Sequence, residues 1–218
     1  MRHLFLILPL VAMVSACIDS PRGPKSQSSR PSQTISPRPE ARQCLANLGR
    51  TNASFTPLPD QYFNGGCSNL NTVRLSAIRG DFDQFAIASL GPVTCPVANT
   101  FVQWARFGVD RAARQILGSG LARIETMGSY SCRTVAGTQR LSAHATANAI
   151  DVAAFVLENG QRVSVLQHWN EGSQAERQFL RVVHGSACKR FGTVLGPDYN
   201  QAHRDHLHME AGNGSFCR

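Results

Sequence analysis

Apolar residues fall along this chain in three rhythms, and each predicts a different kind of segment. From Leu4 to Val14 they run almost unbroken, between an early Arg2 and the small residues Ser15 and Ala16 that precede Cys17. That run is too short for a comfortable membrane span and has the outline of a secretory signal. Between Pro96 and Leu117 a helical rhythm takes over: Val97, Phe101, Trp104, Ile116 and Leu117 form a broad stripe that opens on a proline and stops at Gly118, which predicts a core helix. A second helix is predicted from Ser173 to about Cys188, because Ser173 and Glu176 form a capping box ahead of Phe179, Leu180 and Val183 on one face. The third rhythm is that of strands. Ala149 to Leu157 is rich in strand-compatible apolar residues, and Asn159-Gly160 then leads into Arg162 to Leu166, a hairpin signal. Leu121 to Met127 and Asp205 to Glu210 are further strands. Helices grouped apart from strands predict an α+β fold, a single compact domain with a central antiparallel sheet flanked by helices.

Composition divides the chain. Ile18 to Arg42 is dominated by serine and proline with scattered basic residues, and it lacks the apolar surface needed to offset the entropy of ordering. The expected organisation is a signal over 1–16, a disordered tether over 17–42 and a folded domain over 43–218. The tetrad Val14-Ser15-Ala16-Cys17 looks like a bacterial lipobox, which would make Cys17 a lipid anchor; an ordinary cleaved signal is the alternative. Ile18 after the anchor resembles outer-membrane delivery, placing the domain in the periplasm. The 22 Lys and Arg against 14 Asp and Glu give a net charge of +8, which favours anionic surroundings without choosing among nucleic acid, membrane and wall polymer. A multi-span membrane protein and a wholly disordered chain are excluded.

Six cysteines follow the tether, an even number that in an exported chain argues for disulfides. We expect Cys44 with Cys67, Cys95 with Cys132 and Cys188 with Cys217, one of the many pairings six cysteines allow. No Cys-x-x-Cys occurs, which disfavours a cysteine zinc ribbon or a thioredoxin-like site.

The histidines carry the chemistry. His203, His206 and His208 crowd into six residues together with Asp205. On a strand, His206 and His208 share one face while Leu207 and Met209 point to the other. Upstream, His144 is followed after seven residues by Asp151, inside an apolar strand where a carboxylate is costly unless paired or bound to metal. Three ligands from His and Asp with a water in the fourth position make a catalytic zinc site, and His144, Asp151 and one or two of the late histidines meet that requirement. A hydrogen-bonded His and Asp pair without metal is the simpler alternative. Zinc lowers the pKa of its water to about 7 and polarises a carbonyl, as amide hydrolysis requires, with a neighbouring base to move the proton. Ser142 lacks the Gly-x-Ser-x-Gly surroundings of a nucleophile and reads as a cap for the histidine loop.

Ser142 to Asp151 resembles the S-x-H-x-x-x-x-A-x-D signature of zinc D-Ala-D-Ala peptidases and LAS-type murein endopeptidases, and His203, His206 and His208 look like the H-x-x-H-x-H ending of the endopeptidase branch. Cys44 to Cys217 as a whole resembles the bacterial extensin-like C-terminal domain, through 128–133, 142–151, 194–200 and 203–210. The resemblance implies a single zinc ion on His144, Asp151 and His208, His206 as general base, His203 as a helper, and Arg133 as a clamp for a substrate carboxylate. It implies peptidoglycan peptides as substrate. Ala147 stands where the carboxypeptidases often carry Gly, and Arg133 is not adjacent to Tyr130 as the usual clamp would be. Two functions follow as expectations: an exported zinc peptidase acting on peptidoglycan, or a wall-binding lipoprotein that keeps the fold without hydrolysis. Nucleic-acid binding has only the charge in its favour and is not expected.

Overall fold

The computed structural model describes residues 38–218; the expected signal, Cys17 and nearly all of the expected tether lie outside the described residues. Helix α1 spans Pro39–Gly49, with proline in its first turn and Ala41 and Leu48 buried, so the folded domain starts four residues earlier than the expected 43. A proline at this position is favourable because its missing N–H is one the helix leaves unpaired anyway. No helix of the described residues is long and apolar enough to cross a membrane.

Strands β1 (Ala53–Pro57), β4 (Thr72–Arg79), β5 (Gln84–Ala88), β7 (Leu121–Gly128), β8 (Ala149–Leu157), β11 (Leu207–Glu210), β10 (Thr193–Leu195) and β12 (Phe216–Cys217) lie side by side in that order. Strand β6 (Pro92–Thr94) pairs on β4, β9 (Arg162–Ser164) pairs on β8, and β2 (Gln61–Tyr62) with β3 (Ser68–Asn69) forms a separate ribbon. The fold is α+β around one large sheet. Pairing is antiparallel except at β5 with β7 and β10 with β12. The first exception has a plain cause: a parallel pair needs a long crossover, and helix α2 (Cys95–Gln103) lies in the connection from β5 to β7.

The helical rhythm of Pro96 to Leu117 is realised as one helix that changes pitch. Beyond α2 it widens to π-type hydrogen bonding over Trp104–Asp110 and Ala113–Leu117, then stops at Gly118, whose φ of 72° is left-handed. Trp104 is fully buried, and its indole N–H donates to the Val183 carbonyl at 2.9 Å. Its ring packs towards Phe155, which meets Phe179 edge-on with centroids 5.2 Å apart. Phe179 sits on α4 (Gln174–Cys188), begun by the expected capping box between Ser173 and Glu176. The Asn159-Gly160 hairpin forms between β8 and β9, but the second strand is shorter than expected: the Ser164 side chain accepts from the Gln167 N–H and starts the short helix α3 (Val165–His168).

Among the described residues three disulfides form. Cys188–Cys217 is as expected, whereas Cys44 joins Cys95 and Cys67 joins Cys132. The expected partners were simply nearer in sequence. In the fold, α1 packs on α2, which brings Cys44 to Cys95 with Cα atoms 6.1 Å apart, and Cys67 meets Cys132 with Cα atoms 5.6 Å apart.

The pairing of β8 with β11 does most to position chemistry. Its register sets His208 opposite Asp151, with Leu207 opposite Val152 and Met209 opposite Ile150. Strand pleating then sends Leu207 and Met209 into the core, where both are fully buried, and leaves His208 on the other face with Asp151.

Candidate metal centre

Strand β8 supplies Asp151 and β11 supplies His208. His144 comes from a short 3₁₀ turn, Ala143–Thr146, capped by the Ser142 hydroxyl, which accepts from the His144 backbone N–H at 3.3 Å. That turn closes at Ala147 in a left-handed conformation, φ 53°, a backbone region that glycine enters more readily than alanine. His144 and His208 are buried and Asp151 is nearly so. His144 Nε2 lies 3.1 Å from His208 Nδ1 and 3.2 Å from Asp151 Oδ2, while His208 Nδ1 lies 2.8 Å from Asp151 Oδ1.

The outward nitrogens decide what those inward atoms are. His144 Nδ1 is 2.7 Å from the Ser129 carbonyl oxygen, which only accepts, so Nδ1 carries the proton and Nε2 presents a lone pair. His208 Nε2 is 2.9 Å from the Glu210 carboxylate and is likewise the donor there, leaving Nδ1 as the inward atom. Two imidazole lone pairs and a carboxylate therefore converge on one point, and acceptors at such distances require a positive charge among them. Without metal that charge is a proton on His208: burial opposes it, but the Asp151 and Glu210 carboxylates prevail and push the ring pKa up to about 9. Burial works against the Asp151 carboxylate, but the imidazoles of His144 and His208 beside it prevail and hold its pKa far below the usual carboxylate range. A divalent cation resolves the same convergence. Ligands about 2.0–2.1 Å from a tetrahedral zinc are about 3.3 Å from one another, close to the spacings here. Both histidines also have their second nitrogen held by an oxygen, the usual support of a metal-bound imidazole. The donor set fits zinc.

His206 precedes β11 rather than lying in it, yet it turns to the same site, its Nε2 3.6 Å from Asp151 Oδ1. Its Nδ1 is 2.8 Å from Asp205, which fixes the tautomer with Nε2 free towards the cleft. His203 lies beside it, ring centroids 5.2 Å apart, with Nδ1 2.7 Å from the Asn200 side-chain oxygen. Burial, reinforced by His206 and His208, pushes the His203 pKa down to about 4, so this ring is neutral near pH 7. His203, His206 and His208 also have ligand atoms close enough to hold an ion, but they share His208 with the trio described above. A cleft of about 520 Å³ opens over these rings, and Arg133 lines it.

All six residues singled out from the sequence thus lie at or around one cleft. Sequence reasoning missed Glu210, although it sits two residues beyond His208 on the same strand and the same alternation would have found it. It also missed the Ser129 carbonyl, which no side-chain pattern announces. Trp104 belongs to the core, while Tyr199 lines the cleft and stacks edgewise on His203.

A family profile described as extensin-like protein C-terminus matches residues 42–218. No curated protein and no solved structure matches the chain.

Proposed function

The chain belongs to the extensin-like protein C-terminal family, and we propose that it is an exported zinc-dependent peptidase that hydrolyses peptide bonds of bacterial peptidoglycan. The observation that carries this reading is the convergence of His144, Asp151 and His208 as three acceptors on one point, next to a cleft that His208 lines. A zinc ion there would polarise the scissile carbonyl and bring the pKa of a coordinated water to about 7. The remaining work falls to the chain's own side chains. His206 offers Nε2 as the proton acceptor for the attacking water, with Asp205 holding Nδ1–H and steadying the imidazolium that results; the same proton then passes to the leaving amine. His203, neutral and tied to Asn200, offers an acceptor next to that base. Arg133 on the cleft wall suits a substrate carboxylate. The signal outline and the basic charge support a place in the envelope facing an anionic wall, with Cys17 as the lipid anchor to the outer membrane.

The test is metal content followed by digestion of muropeptides and intact sacculi by the full-length protein. The expected result is about one zinc per chain, lost in Asp151→Ala and His208→Ala, and cleavage lost in His206→Ala with zinc retained. Zinc-loaded protein that leaves both substrates uncut would overturn the peptidase reading; if it pelleted with sacculi regardless of His206, a wall-binding lipoprotein would replace it.

A further inference from the structure

Residues 133–142 form a small hairpin leading directly into the His144 turn. The Ser142 N–H donates to the Arg133 carbonyl at 3.0 Å, the Val135 N–H donates to the Arg140 carbonyl at 2.8 Å, and Thr134 pairs with Leu141 between them. Pairing of this kind puts Arg133, Val135, Arg140 and Ser142 on one face, and all four line the cleft. Arg133 and Arg140 are diagonal neighbours across the hairpin, a spacing of about 7–8 Å. The Cys67–Cys132 disulfide holds the hairpin at its base, immediately before Arg133.

Several arginines elsewhere on the surface are held by carboxylates, unlike these two. Arg106 and Arg111 share Asp81, Arg114 reaches Glu158, and Arg123 and Arg162 share Glu125. Among the described residues, no carboxylate forms an ion pair with Arg133 or Arg140, and both are exposed. The acidic groups in and next to the cleft are occupied with histidines: Glu210, which lines it, with His208, and Asp151 behind His208 with His144 and His208. The wall thus presents two guanidinium groups that are in no ion pair; Arg140 is felt at longer range by Glu210, whose carboxylate is already hydrogen-bonded to His208.

We infer that the Arg133–Ser142 hairpin is an anion-reading wall, and that the ligand of the cleft is an extended peptide bearing two carboxylates, one met by Arg133 beside the histidines and the other by Arg140. This rests on the reading of the cleft as a peptide site and adds Arg140 as a specificity-determining residue. Guanidinium forks suit carboxylates because they donate two parallel hydrogen bonds. Arg140 discriminates by charge and leaves the bond-breaking groups untouched.

The experiment measures binding rather than cleavage. Full-length His206→Ala protein, which retains the hairpin, is titrated calorimetrically with a disaccharide-tetrapeptide muropeptide carrying free carboxylates, and with the same muropeptide after its carboxylates are converted to amides. The free acid binds at least fivefold more tightly, and added Arg140→Gln removes about fivefold of that preference while leaving the amide's affinity unchanged, with Arg140→Lys intermediate. The exposed position of Arg140 predicts an unchanged melting temperature, which separates lost recognition from lost fold. Equal affinity for acid and amide, indifference to Arg140→Gln, or no binding of either form overturns the inference. In wild type, carboxylate preference without cleavage would overturn only the peptidase reading, and cleavage without preference only this one.

Discussion

Glu210 offers the sharpest test of the metal centre, because it touches the proposed ion only through His208. Its carboxylate lies 2.9 Å from His208 Nε2, and the hydrogen bond from His208 is the main reason its pKa is held below the ordinary glutamate value. Such supports are worth about 10–100-fold in metal affinity, or about 1.4–2.7 kcal/mol. Glu210→Gln keeps an oxygen that can accept from Nε2 and removes only the charge, and the side chain is 28% exposed, so the lower end applies: about tenfold weaker zinc binding. Glu210→Ala frees the ring as well and belongs near the upper end. Competition with a chromophoric zinc chelator reads both values directly. Asp205→Asn is the control, since Asp205 supports His206, which lies outside the ligand trio; zinc affinity should stay within about twofold of wild type. Wild-type affinity in Glu210→Ala, or an equal loss in Asp205→Asn, would refute the assignment of His208 Nδ1 as the inward ligand.

Zinc uptake at pH 7 should release about one proton, because metal-free His208 is protonated up to about pH 9; calorimetry in buffers of different ionisation enthalpy measures it. The same raised pKa stabilises the metal-free fold fully below the unfolded value of about 6.5, and this contribution is lost as pH rises through about 9, so chelated protein should show a falling melting temperature over that window that zinc-loaded protein lacks. Replacing Cys67 and Cys132 together by alanine removes a cross-link spanning 65 residues and should cost about 4 kcal/mol in a denaturant titration, with the larger effect on ligand binding than on zinc content. Ala147→Gly should change stability by less than about 1 kcal/mol, since relief of the left-handed strain offsets the added chain entropy, whereas the β-branched Ala147→Val should be strongly destabilising in thermal melts.

What could be read from the sequence was whatever announces itself locally. The Ser173 and Glu176 box gave the start of α4, Gly118 gave the end of the long helix, and the alternation around Leu207 and Met209 gave the two faces of β11. The amino-terminal strands were missed: Ala53–Pro57 and Gln84–Ala88 are short, and the segment around them is broken by Pro57, Pro59, Asp81 and Asp83. The disulfides were misjudged at two pairs for a related reason, because pairing follows which elements pack together, and Cys44 finds Cys95 only once α1 lies on α2. The candidate site divides in the same way. Its side chains are chemically conspicuous, whereas its supports, the Ser129 carbonyl and the hairpin wall with Arg140, exist only after the chain has closed on itself.

The opposition of His208 and Asp151 across β11 and β8 makes the site a checkpoint on assembly. The two residues are 57 positions apart in the chain, and only one alignment of the strands brings them together. A slip by one residue sets Leu207 or Met209 against Asp151 and turns His208 towards the core, leaving His144 and Asp151 without their third partner. A misaligned chain therefore has an incomplete set of donors with which to grip an ion. Metal would settle only on molecules whose central strands have already found their register, and by settling would hold that register against slippage.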